Sequence, residues 1–338
     1  MAHSQTHSDR TARTRAPAKL NLFLELLRRR QDGYHEIDTV MVPIDWCDDV
    51  IVKRTQSEQI RVRVHWLPNK KIIASRLGLP VNGDKTAQLL QIPENEGNLV
   101  YQTLARFRDQ FDTTGGFDCQ IRKRIPAGAG MGGASSNAAS ALRCAAKLCG
   151  VPNNRPEIFE IAASIGSDVP FFLGCKNDIS CIDAPQCTFA ARAQGRGELL
   201  TQLTFRSPLH FVVAFPGECL STAKVYAASH IPAVSRSPDG MLGALGSGLS
   251  AEIGKHLFNR LADPARKILP RIDEILESMW RSGLQACQLT GSGSACFAIQ
   301  GTAIQSDRGA VRLRAMLEPG ALISDVQSVC VPTPVVCD

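Results

Sequence analysis

Leucines alternate with other residues in the first clearly patterned stretch of the chain. They occupy every second position, at Leu20, Leu22, Leu24 and Leu26. Because side chains alternate between the two faces of a strand, this spacing predicts a strand that buries a row of leucines. The opposite face carries Lys19, Asn21, Phe23 and Glu25. Lys19 and Asn21 are therefore predicted to lie side by side, facing away from the leucines.

Further hydrophobic patterns predict a mixture of strands and helices. Strands are predicted at 37–44, 50–64, 118–125, 171–173, 179–182, 211–215, 288–289 and 295–299. Helices are predicted at 99–111, 135–149, 157–165 and within 266–283. Two segments without a clear pattern are predicted to be a surface excursion and a loop, at 66–95 and 229–255 respectively. The elements do not alternate strictly as βαβ units, which favours an α+β fold.

The same patterns divide the chain into a tail and two domains. Residues 1–15 contain few apolar side chains and three arginines, at Arg10, Arg13 and Arg15. We expect this tail to be disordered, and it lacks the amphipathic stripe of a transit peptide. Residues 16–205 are expected to form an N-terminal domain rich in sheet, and residues 206–338 a C-terminal α/β domain.

Composition narrows the class of protein. The chain has 338 residues, of which 44% are hydrophobic and 21% charged, as expected of a soluble globular protein. No apolar run approaches the roughly 18 residues of a membrane helix. A net charge of +6 is too weak to indicate nucleic-acid binding. We therefore expect a cytoplasmic protein without nucleic-acid or membrane partners.

Twelve cysteines raise the question of a metal site. Cys175, Cys181 and Cys187 are evenly spaced, but no histidine lies near them and their spacing is wide for zinc. No cysteines form a CxxC pair. Reduced cysteines in the core of a cytoplasmic protein are the favoured interpretation.

A glycine-rich stretch, Pro126–Ser136, joins a predicted strand to a predicted helix. Its glycines allow left-handed backbone conformations and close approach of a ligand. The start of the following helix offers unpaired N–H groups and the positive end of the helix dipole. Together these features predict an anion-binding site. Ser135 and Ser136 can cap the helix, donate to a phosphate or reach a magnesium ion.

Three other interpretations of Pro126–Ser136 have to be compared with a phosphate-binding loop: a dinucleotide-binding loop, a P-loop and a structural turn. Gly128, Gly130 and Gly133 satisfy the dinucleotide pattern GxGxxG. However, the preceding strand alternates with charged residues, whereas the central parallel strand of a dinucleotide fold is continuously apolar. A P-loop would need a lysine after the glycines, and none follows. A purely structural glycine turn is the remaining alternative.

The sequence Pro-Ala-Gly-Ala-Gly-Met-Gly-Gly-Ala-Ser-Ser-Asn-Ala-Ala at 126–139 resembles the phosphate loop of the GHMP kinase superfamily. Five further motifs resemble those of its 4-diphosphocytidyl-2-C-methyl-D-erythritol kinase family, which belongs to the non-mevalonate isoprenoid pathway. They are Pro17-Ala-Lys-Leu-Asn-Leu-Phe-Leu, Asp32-Gly-Tyr-His-Glu-Ile, Gly166-Ser-Asp-Val-Pro-Phe-Phe, Gly195-Arg-Gly-Glu and Leu289-Thr-Gly-Ser-Gly-Ser-Ala-Cys-Phe-Ala. The matches follow the family's order from about residue 16 to residue 300.

This resemblance implies an ATP-dependent kinase with an alcohol acceptor. The implied reaction is phosphorylation of the 2-hydroxyl of 4-diphosphocytidyl-2-C-methyl-D-erythritol, with ATP and Mg²⁺ as cofactors. The implied structure is the two-domain GHMP kinase fold, with its active site in the cleft between the domains. Partners are then ATP and a small cytidyl alcohol, and we expect a monomer or a weak homodimer.

Two residues match the family's catalytic pair. Asp168, in the motif Gly166-Ser-Asp-Val-Pro-Phe-Phe, matches its aspartate. A carboxylate can orient an alcohol and accept its proton. Lys19 matches its lysine, whose ammonium would keep that carboxylate ionised and offset charge on the phosphoryl group. Taken alone, Asp168 could equally be an aspartate in a turn, and Lys19 could equally be a solvated surface lysine.

The resemblance also assigns binding residues. Residues that would bind the ATP phosphates are Pro126, Ala127, Gly128, Ala129, Gly130, Met131, Gly132, Gly133, Ala134, Ser135 and Ser136. Ser136 is also a candidate magnesium ligand. Residues that would bind the cytidyl substrate are Asn21, Tyr34, His35, Thr222 and Tyr226. The rings of Tyr34 and Tyr226 would stack on cytosine, and His35 would bind its pairing edge. A third motif near the phosphates comprises Gly291, Ser292 and Gly293.

Three rival functions remain open at this level. One is another GHMP kinase acting on mevalonate, homoserine or a sugar, which the pair Tyr34-His35 disfavours. Another is a nucleotide-binding regulator without catalysis, which the joint presence of Lys19 and Asp168 disfavours. The third is the NAD-dependent oxidoreductase suggested by GxGxxG.

Overall fold

The computed structural model describes residues 10–174, 188–205 and 207–338. Its strands are β1 Thr11–Arg29, β2 His35–Thr55, β3 Ile60–Trp66, β4 Gly116–Lys123, β5 Thr188–Gly195, β6 Leu199–Phe205, β7 His210–Phe215, β8 Phe258–Asn259, β9 Cys287–Leu289, β10 Cys296–Gln300, β11 Leu322–Gln327 and β12 Val336–Cys337. Its helices are α1 Lys70–Arg76, α2 Asp84–Leu90, α3 Leu99–Gln110, α4 Gly133–Cys149, α5 Pro156–Ile165, α6 Val169–Leu173, α7 Thr222–Ala227, α8 Asp239–Ser247, α9 Ser250–Lys255, α10 Ala262–Ile268, α11 Arg271–Arg281 and α12 Ala303–Leu317. None of these helices is long and apolar enough to cross a membrane.

Two sheets organise these elements. The larger has the order β12-β1-β2-β4-β3, with β5 and β6 continuing from β2 and β8 pairing with β1. The smaller has the order β11-β7-β10-β9. Most pairs are antiparallel; β3 with β4 and β1 with β8 run parallel. Antiparallel sheets combined with separate helices confirm the predicted α+β class.

The leucine row of β1 joins the two sheets. Leu20 and Leu22 are fully buried and pack in one cluster with Phe211, Val213 and Phe297 of the smaller sheet. Burial of these side chains follows directly from the predicted alternation. Lys19 and Asn21 then face the opposite side, where the glycine-rich stretch lies.

Helix α4 packs on β1 and β2 and carries glycine at both ends. Its N-cap is Gly132, which has a φ of 69°, and its C-cap is Gly150, also with a φ of 69°. The expected serine cap is therefore wrong, because Ser135 and Ser136 lie inside the first turn of the helix. Nearly every side of α4 is buried, which its small alanine side chains allow.

The N-terminal boundary of the structure lies earlier than expected. Strand β1 begins at Thr11, so residues 11–15 are ordered and the predicted 15-residue tail is wrong for them. The reason is alternation: Ala12 and Thr14 are buried while Arg13 and Arg15 are exposed. In the sequence, a half-buried strand with exposed arginines is hard to distinguish from a disordered polar tail. The remaining tail, residues 1–9, lies outside the described residues.

Several predicted elements differ in type or extent. The predicted strand at 171–173 belongs to α6, because a short buried apolar run does not distinguish strand from helix. The patternless segments contain short helices, α1 and α2 in 66–95, and α8 and α9 in 229–255. Pro270 ends one helix and begins another, so 266–283 spans α10 and α11. The predicted strand at 179–182, and Cys175, Cys181 and Cys187, lie outside the described residues.

The chain ends on the larger sheet. Ser328 forms an isolated bridge with Ile44, and β12 pairs with Ala12 and Arg13 of β1. Val331 is 4% exposed and packs into the same core as α3 and α4. The last residues of the predicted C-terminal domain thus pack on the N-terminal sheet.

Candidate active site

A cavity of about 300 Å³ lies where β1, the glycine-rich stretch and the smaller sheet meet. Pro126 to Ser135 all line it, which matches ten of the eleven residues predicted to bind ATP. It is also lined by Lys19, Asn21, Asp168, Thr222, Tyr226, Gly291 and Ser292. Residues from distant parts of the sequence are therefore brought together as predicted. Ser136, Tyr34, His35 and Gly293 do not line this cavity.

Three backbone hydrogen bonds fix the glycine-rich stretch. The N–H of Lys19 donates to the carbonyl of Met131 at 2.9 Å, and that of Ala295 to Ala129 at 3.1 Å. The N–H of Leu220 donates to Gly128 at 3.3 Å. The carbonyls of the stretch thus face the protein, while the first N–H groups of α4 remain available for an anion.

Gly130 shows why glycine is required in this stretch. Its φ is 75°, and a Cβ atom there would lie 2.3 Å from the carbonyl oxygen of Thr290. The resemblance predicts that this stretch binds ATP, so Gly130→Ala should displace the stretch and lower kcat/KM for ATP by about 100-fold. Steady-state kinetics at varied ATP concentration measure this effect.

Gly150→Ala is a matched control for that variant. Gly150 has a similar φ of 69°, but a Cβ atom there meets no atom within 4 Å. The control carries the same backbone strain at the far end of α4, so its kcat/KM for ATP should stay near wild type. Equal losses in both variants would contradict the steric explanation.

Lys19 and Asp168 face each other across the cavity. Lys19 Nζ lies 3.7 Å from Asp168 Oδ2, with side chains 5% and 32% exposed. Burial lowers the pKa of Lys19 from its ordinary value, although the charge of Asp168 opposes this shift. A cation and a partly solvated carboxylate are thereby held beside the helix start, where they can act on an alcohol and a phosphoryl group.

Asn21 orients the lysine. Lys19 Nζ donates to Asn21 Oδ1 at 2.5 Å, and Asn21 Nδ2 donates to Thr39 Oγ1 at 2.8 Å. Thr39 in turn donates to the carbonyl of Phe23 at 2.6 Å. Each polar group in this buried chain has a partner, so the ammonium is held in one position.

The third glycine motif packs beside these residues. A Cβ atom on Gly291 would lie 3.2 Å from Lys19 Nζ, and Ser292 Oγ is hydrogen-bonded to Thr222 Oγ1 at 2.9 Å. Asn259 holds the motif in place, because its Nδ2 donates to the carbonyls of Leu289 and Gly291 at 2.9 and 2.8 Å. Sequence reasoning missed Asn259, whose contacts are 30 and 32 residues away.

An aromatic group borders the cavity. The rings of His35 and Tyr226 lie 5.3 Å apart, and Tyr34 is 59% exposed. Burial, and then the charge of Arg29, lower the pKa of His35, so its imidazole is neutral near pH 7. Burial, and then the charge of Asp168, raise the pKa of Tyr226. A neutral imidazole and two aromatic faces can bind a flat heterocycle.

Two polar atoms at the start of α4 are buried without a partner among the described residues. They are Ser136 Oγ and Asn137 Oδ1, on side chains that are 0% and 3% exposed overall. Asn137 lines the cavity. Buried polar atoms ordinarily have partners, so these two oxygens are suited to a bound group. No cluster of three or more His, Cys, Asp or Glu that could hold a metal occurs in the described ranges.

A second buried lysine lines the cavity and was missed by sequence reasoning. Lys123 Nζ lies 2.5 Å from Asp48 Oδ2, and both side chains are nearly fully buried. Asp48 also accepts from the backbone N–H groups of Arg124 and Ile125 at 2.6 and 2.8 Å. These residues are about 75 positions apart, so no local pattern reveals the pair. Arg196, from the motif Gly195-Arg-Gly-Glu, also lines the cavity.

Comparisons with known proteins agree with this geometry. Residues 98–175 match the model of the GHMP kinases N terminal domain, and residues 241–317 match that of the GHMP kinases C terminal domain. The 4-diphosphocytidyl-2-C-methyl-D-erythritol kinase of Rhodopirellula baltica is 44% identical over 327 residues, which cover 95% of this chain and 96% of that protein. The enzyme of that name from Salinibacter ruber is 33% identical, over 84% and 88% of the two chains.

Solved structures give the same result. A crystal structure of 4-(cytidine 5'-diphospho)-2C-methyl-D-erythritol kinase superposes with a TM-score of 0.68 at 29% identity, covering 94% of this chain and 100% of that one. A homoserine kinase from Cytophaga hutchinsonii has a TM-score of 0.67 at 15% identity, over 99% and 100% of the chains, which supports the fold alone. The chain belongs to the 4-diphosphocytidyl-2-C-methyl-D-erythritol kinase family of the GHMP kinases.

Proposed function

We propose that this protein transfers the γ-phosphoryl group of ATP to the 2-hydroxyl of 4-diphosphocytidyl-2-C-methyl-D-erythritol. The observation that carries the proposal is the pair Lys19 and Asp168, 3.7 Å apart beside the glycine-rich start of α4. Family membership supplies the identity of the alcohol. The reaction would serve the non-mevalonate synthesis of isoprenoid precursors.

The nucleotide would be bound through the stretch Pro126–Ser136. Free N–H groups at the first turn of α4 would donate to the β and γ phosphates, and the helix dipole would favour their charge. The lysine that a P-loop carries after its glycines is absent here, but two cations, Lys19 and Lys123, reach the cavity from strands β1 and β4. Positioning and electrostatic stabilisation would account for most of the rate.

A magnesium ion bound with ATP fits the residues present. The unpartnered oxygens Ser136 Oγ and Asn137 Oδ1 are the hard ligands that Mg²⁺ takes, and it ordinarily uses few protein ligands besides phosphate oxygens. When bound, the ion would neutralise charge on the phosphates. Asn137, which lines the cavity, would hold it, and the predicted ligand Ser136 would join it by turning its hydroxyl toward the cavity.

Asp168 would act on the acceptor alcohol. Its carboxylate would accept a hydrogen bond from the 2-hydroxyl, aim the oxygen at the γ-phosphorus and take its proton. Lys19 would stabilise the carboxylate before transfer and the phosphoryl oxygens during transfer. Asn21 would position Lys19 through the hydrogen bond at 2.5 Å.

The cytosine ring would be bound by the aromatic group. Tyr34 and Tyr226 would provide stacking faces, and His35 would hydrogen-bond the pairing edge of the base. Thr222, hydrogen-bonded to Ser292, would contact the same substrate near the phosphates. Gly291 to Gly293 would brace the phosphate-binding stretch.

A panel of alcohols tests the proposal. ADP release would be measured with the cytidyl alcohol, mevalonate, homoserine and galactose, with an alcohol-free reaction as the baseline. We expect kcat/KM for the cytidyl alcohol to exceed the others by about 10³-fold or more, because a site built to hydrogen-bond a base rejects compounds without one. Preference for mevalonate, homoserine or galactose would contradict the proposal.

We also propose the setting in which the enzyme works. A cytoplasmic monomer or weak homodimer suits a small-molecule kinase whose site is built from one chain. The two domains would meet near residue 205, between β6 and β7, as residues 16–205 and 206–338. The last residues then return to the N-terminal sheet through β12.

A further inference from the structure

Arg196 lies at the border between the two ends of the cavity. Its guanidinium is 5.4 Å from the centre of the Tyr34 ring, and its side chain lines the same cavity as Ser167 and Asp168. The turn that carries it packs on the aspartate loop, since a Cβ atom on Gly197 would lie 3.6 Å from the carbonyl of Ser167. Arg196 thus reaches both the aromatic group and the catalytic region.

The other cations that line the cavity in the described part of the chain are already engaged. Lys123 is paired with the buried Asp48 at 2.5 Å, and Lys19 is hydrogen-bonded to Asn21 and faces Asp168. Both lysines are nearly fully buried. Arg196 differs from them, because its side chain is 35% exposed and Glu198 Oε1 lies 3.8 Å away. Its charge also helps to lower the pKa of the solvent-exposed Asp32, but no close ion pair joins these two residues among the described contacts.

The proposed substrate carries a charged group that a cation in this position could bind. Its cytosine and its reacting hydroxyl lie at opposite ends, and a diphosphate carrying negative charge connects them. A guanidinium can bind two phosphate oxygens at once, and it is less strongly hydrated than an ammonium, so it recognises a phosphate at a half-exposed site. The phosphates of ATP, in contrast, would be bound at the start of α4.

We propose that Arg196 is a substrate-positioning residue that binds the diphosphate of the cytidyl substrate, and this inference rests on the proposed function. In the absence of substrate its guanidinium packs on Tyr34. On binding, it would donate to the diphosphate while Tyr34 stacks on the base. The contact fixes the distance between the bound base and Asp168, and therefore which hydroxyl meets the γ-phosphate.

The alternative to substrate binding is that Arg196 has a structural role only. In that case the guanidinium would only support the ring of Tyr34, and its loss would weaken binding of the base itself. The turn does not depend on the guanidinium, because the backbone N–H of Arg196 donates to Glu198 Oε2 at 2.6 Å. Arg196→Gln should therefore keep the wild-type circular dichroism spectrum and Tm.

The test compares three ligands by isothermal titration calorimetry. Arg196→Gln should weaken binding of CDP by roughly 10- to 100-fold, the loss expected for a charged hydrogen-bonded pair. Binding of cytidine and of ADP should stay within about twofold of wild type, because neither places a phosphate at this position. Arg196→Lys should show an intermediate loss for CDP, since it keeps the charge without the fork.

Arg155→Gln is the matched control. The guanidinium of Arg155 lies 5.3 Å from the centre of the Phe111 ring and is paired with Glu157 two residues later, as Arg196 lies over Tyr34 beside Glu198, but Arg155 does not line the cavity. It should bind CDP as the wild-type protein does. Equal losses for cytidine and CDP in Arg196→Gln, a loss for ADP, or unchanged CDP binding would overturn the proposal. Failure of the wild-type protein to bind either cytidine or CDP would refute the proposed function, and the role of Arg196 with it.

Discussion

Replacing Asp168 by asparagine should lower kcat for the cytidyl alcohol by about 10³-fold. The amide keeps the shape of the side chain, but it cannot accept the proton of the hydroxyl or carry the charge that faces Lys19 at 3.7 Å. Affinity for ADP should stay within about twofold of wild type, because the phosphates are bound at the start of α4. Single-turnover transfer from labelled ATP and calorimetry with ADP measure the two quantities.

Asp118→Asn provides the control for this variant. Asp118 is paired with Arg63 at 2.7 Å on β4, outside the cavity, so the same chemical change there should leave kcat near wild type. If Asp168→Asn retained wild-type kcat, Asp168 would not act on the alcohol. If it lost ADP binding in parallel, the residue would serve the nucleotide site.

Lys19→Met should separate activity from stability. The variant loses the ammonium that faces Asp168 and the phosphates, so kcat should fall by about 10³-fold. Stability should change in the opposite direction, because burial penalises the charged form of Lys19 and methionine removes that penalty. We expect the Tm at pH 7 to rise by about 2–4 °C. Calorimetric melting and steady-state kinetics test both halves.

The pH dependence of that stability difference follows from the lowered pKa of Lys19. Between the lowered folded pKa and the unfolded value of about 10.4, the unfolded chain binds more protons than the folded one. The free energy of unfolding therefore gains a contribution that rises with pH across this window. Lys19→Met lacks this contribution, so its stability advantage over the wild-type protein should shrink as pH rises through the window.

Lys147→Met is the matched control, since Lys147 is exposed near the end of α4. Activity and Tm should both stay near wild type. A Lys19→Met variant that was both less stable and fully active would contradict the account of a catalytic cation held at a cost to the fold. Stability and function would then not be opposed at this position.

Local patterns in the sequence predicted those parts of the site that depend on neighbouring residues. The alternation in β1 places Lys19 and Asn21 together because a strand has a period of two, and the leucines of the other face require burial. The glycines of Pro126–Ser136 predicted an anion site because a strand-to-helix turn with left-handed residues exposes N–H groups. These inferences needed no knowledge of the fold.

Other parts of the site depend on contacts between distant residues. Asn259 and the pair Lys123 and Asp48 appear in sequence as ordinary polar residues. Their roles arise only when β2 is assembled with β4, and β8 with β9. Asp168 was assigned through family resemblance, since an aspartate before Val-Pro equally suits a turn. The predicted strand at 171–173 was wrong because a short buried apolar run suits a strand or a helix equally, and in the fold it is a helix that packs against α4.

The most direct test of the central claim is the structure of the product. The protein would be incubated with ATP, Mg²⁺ and 4-diphosphocytidyl-2-C-methyl-D-erythritol, and the mixture examined by ³¹P NMR together with ¹³C NMR of labelled substrate. The account predicts one new phosphomonoester signal, coupled to the carbon that bears the 2-hydroxyl, with the diphosphate intact. A phosphate on another hydroxyl, or ATP hydrolysis without a phosphorylated alcohol, would contradict it.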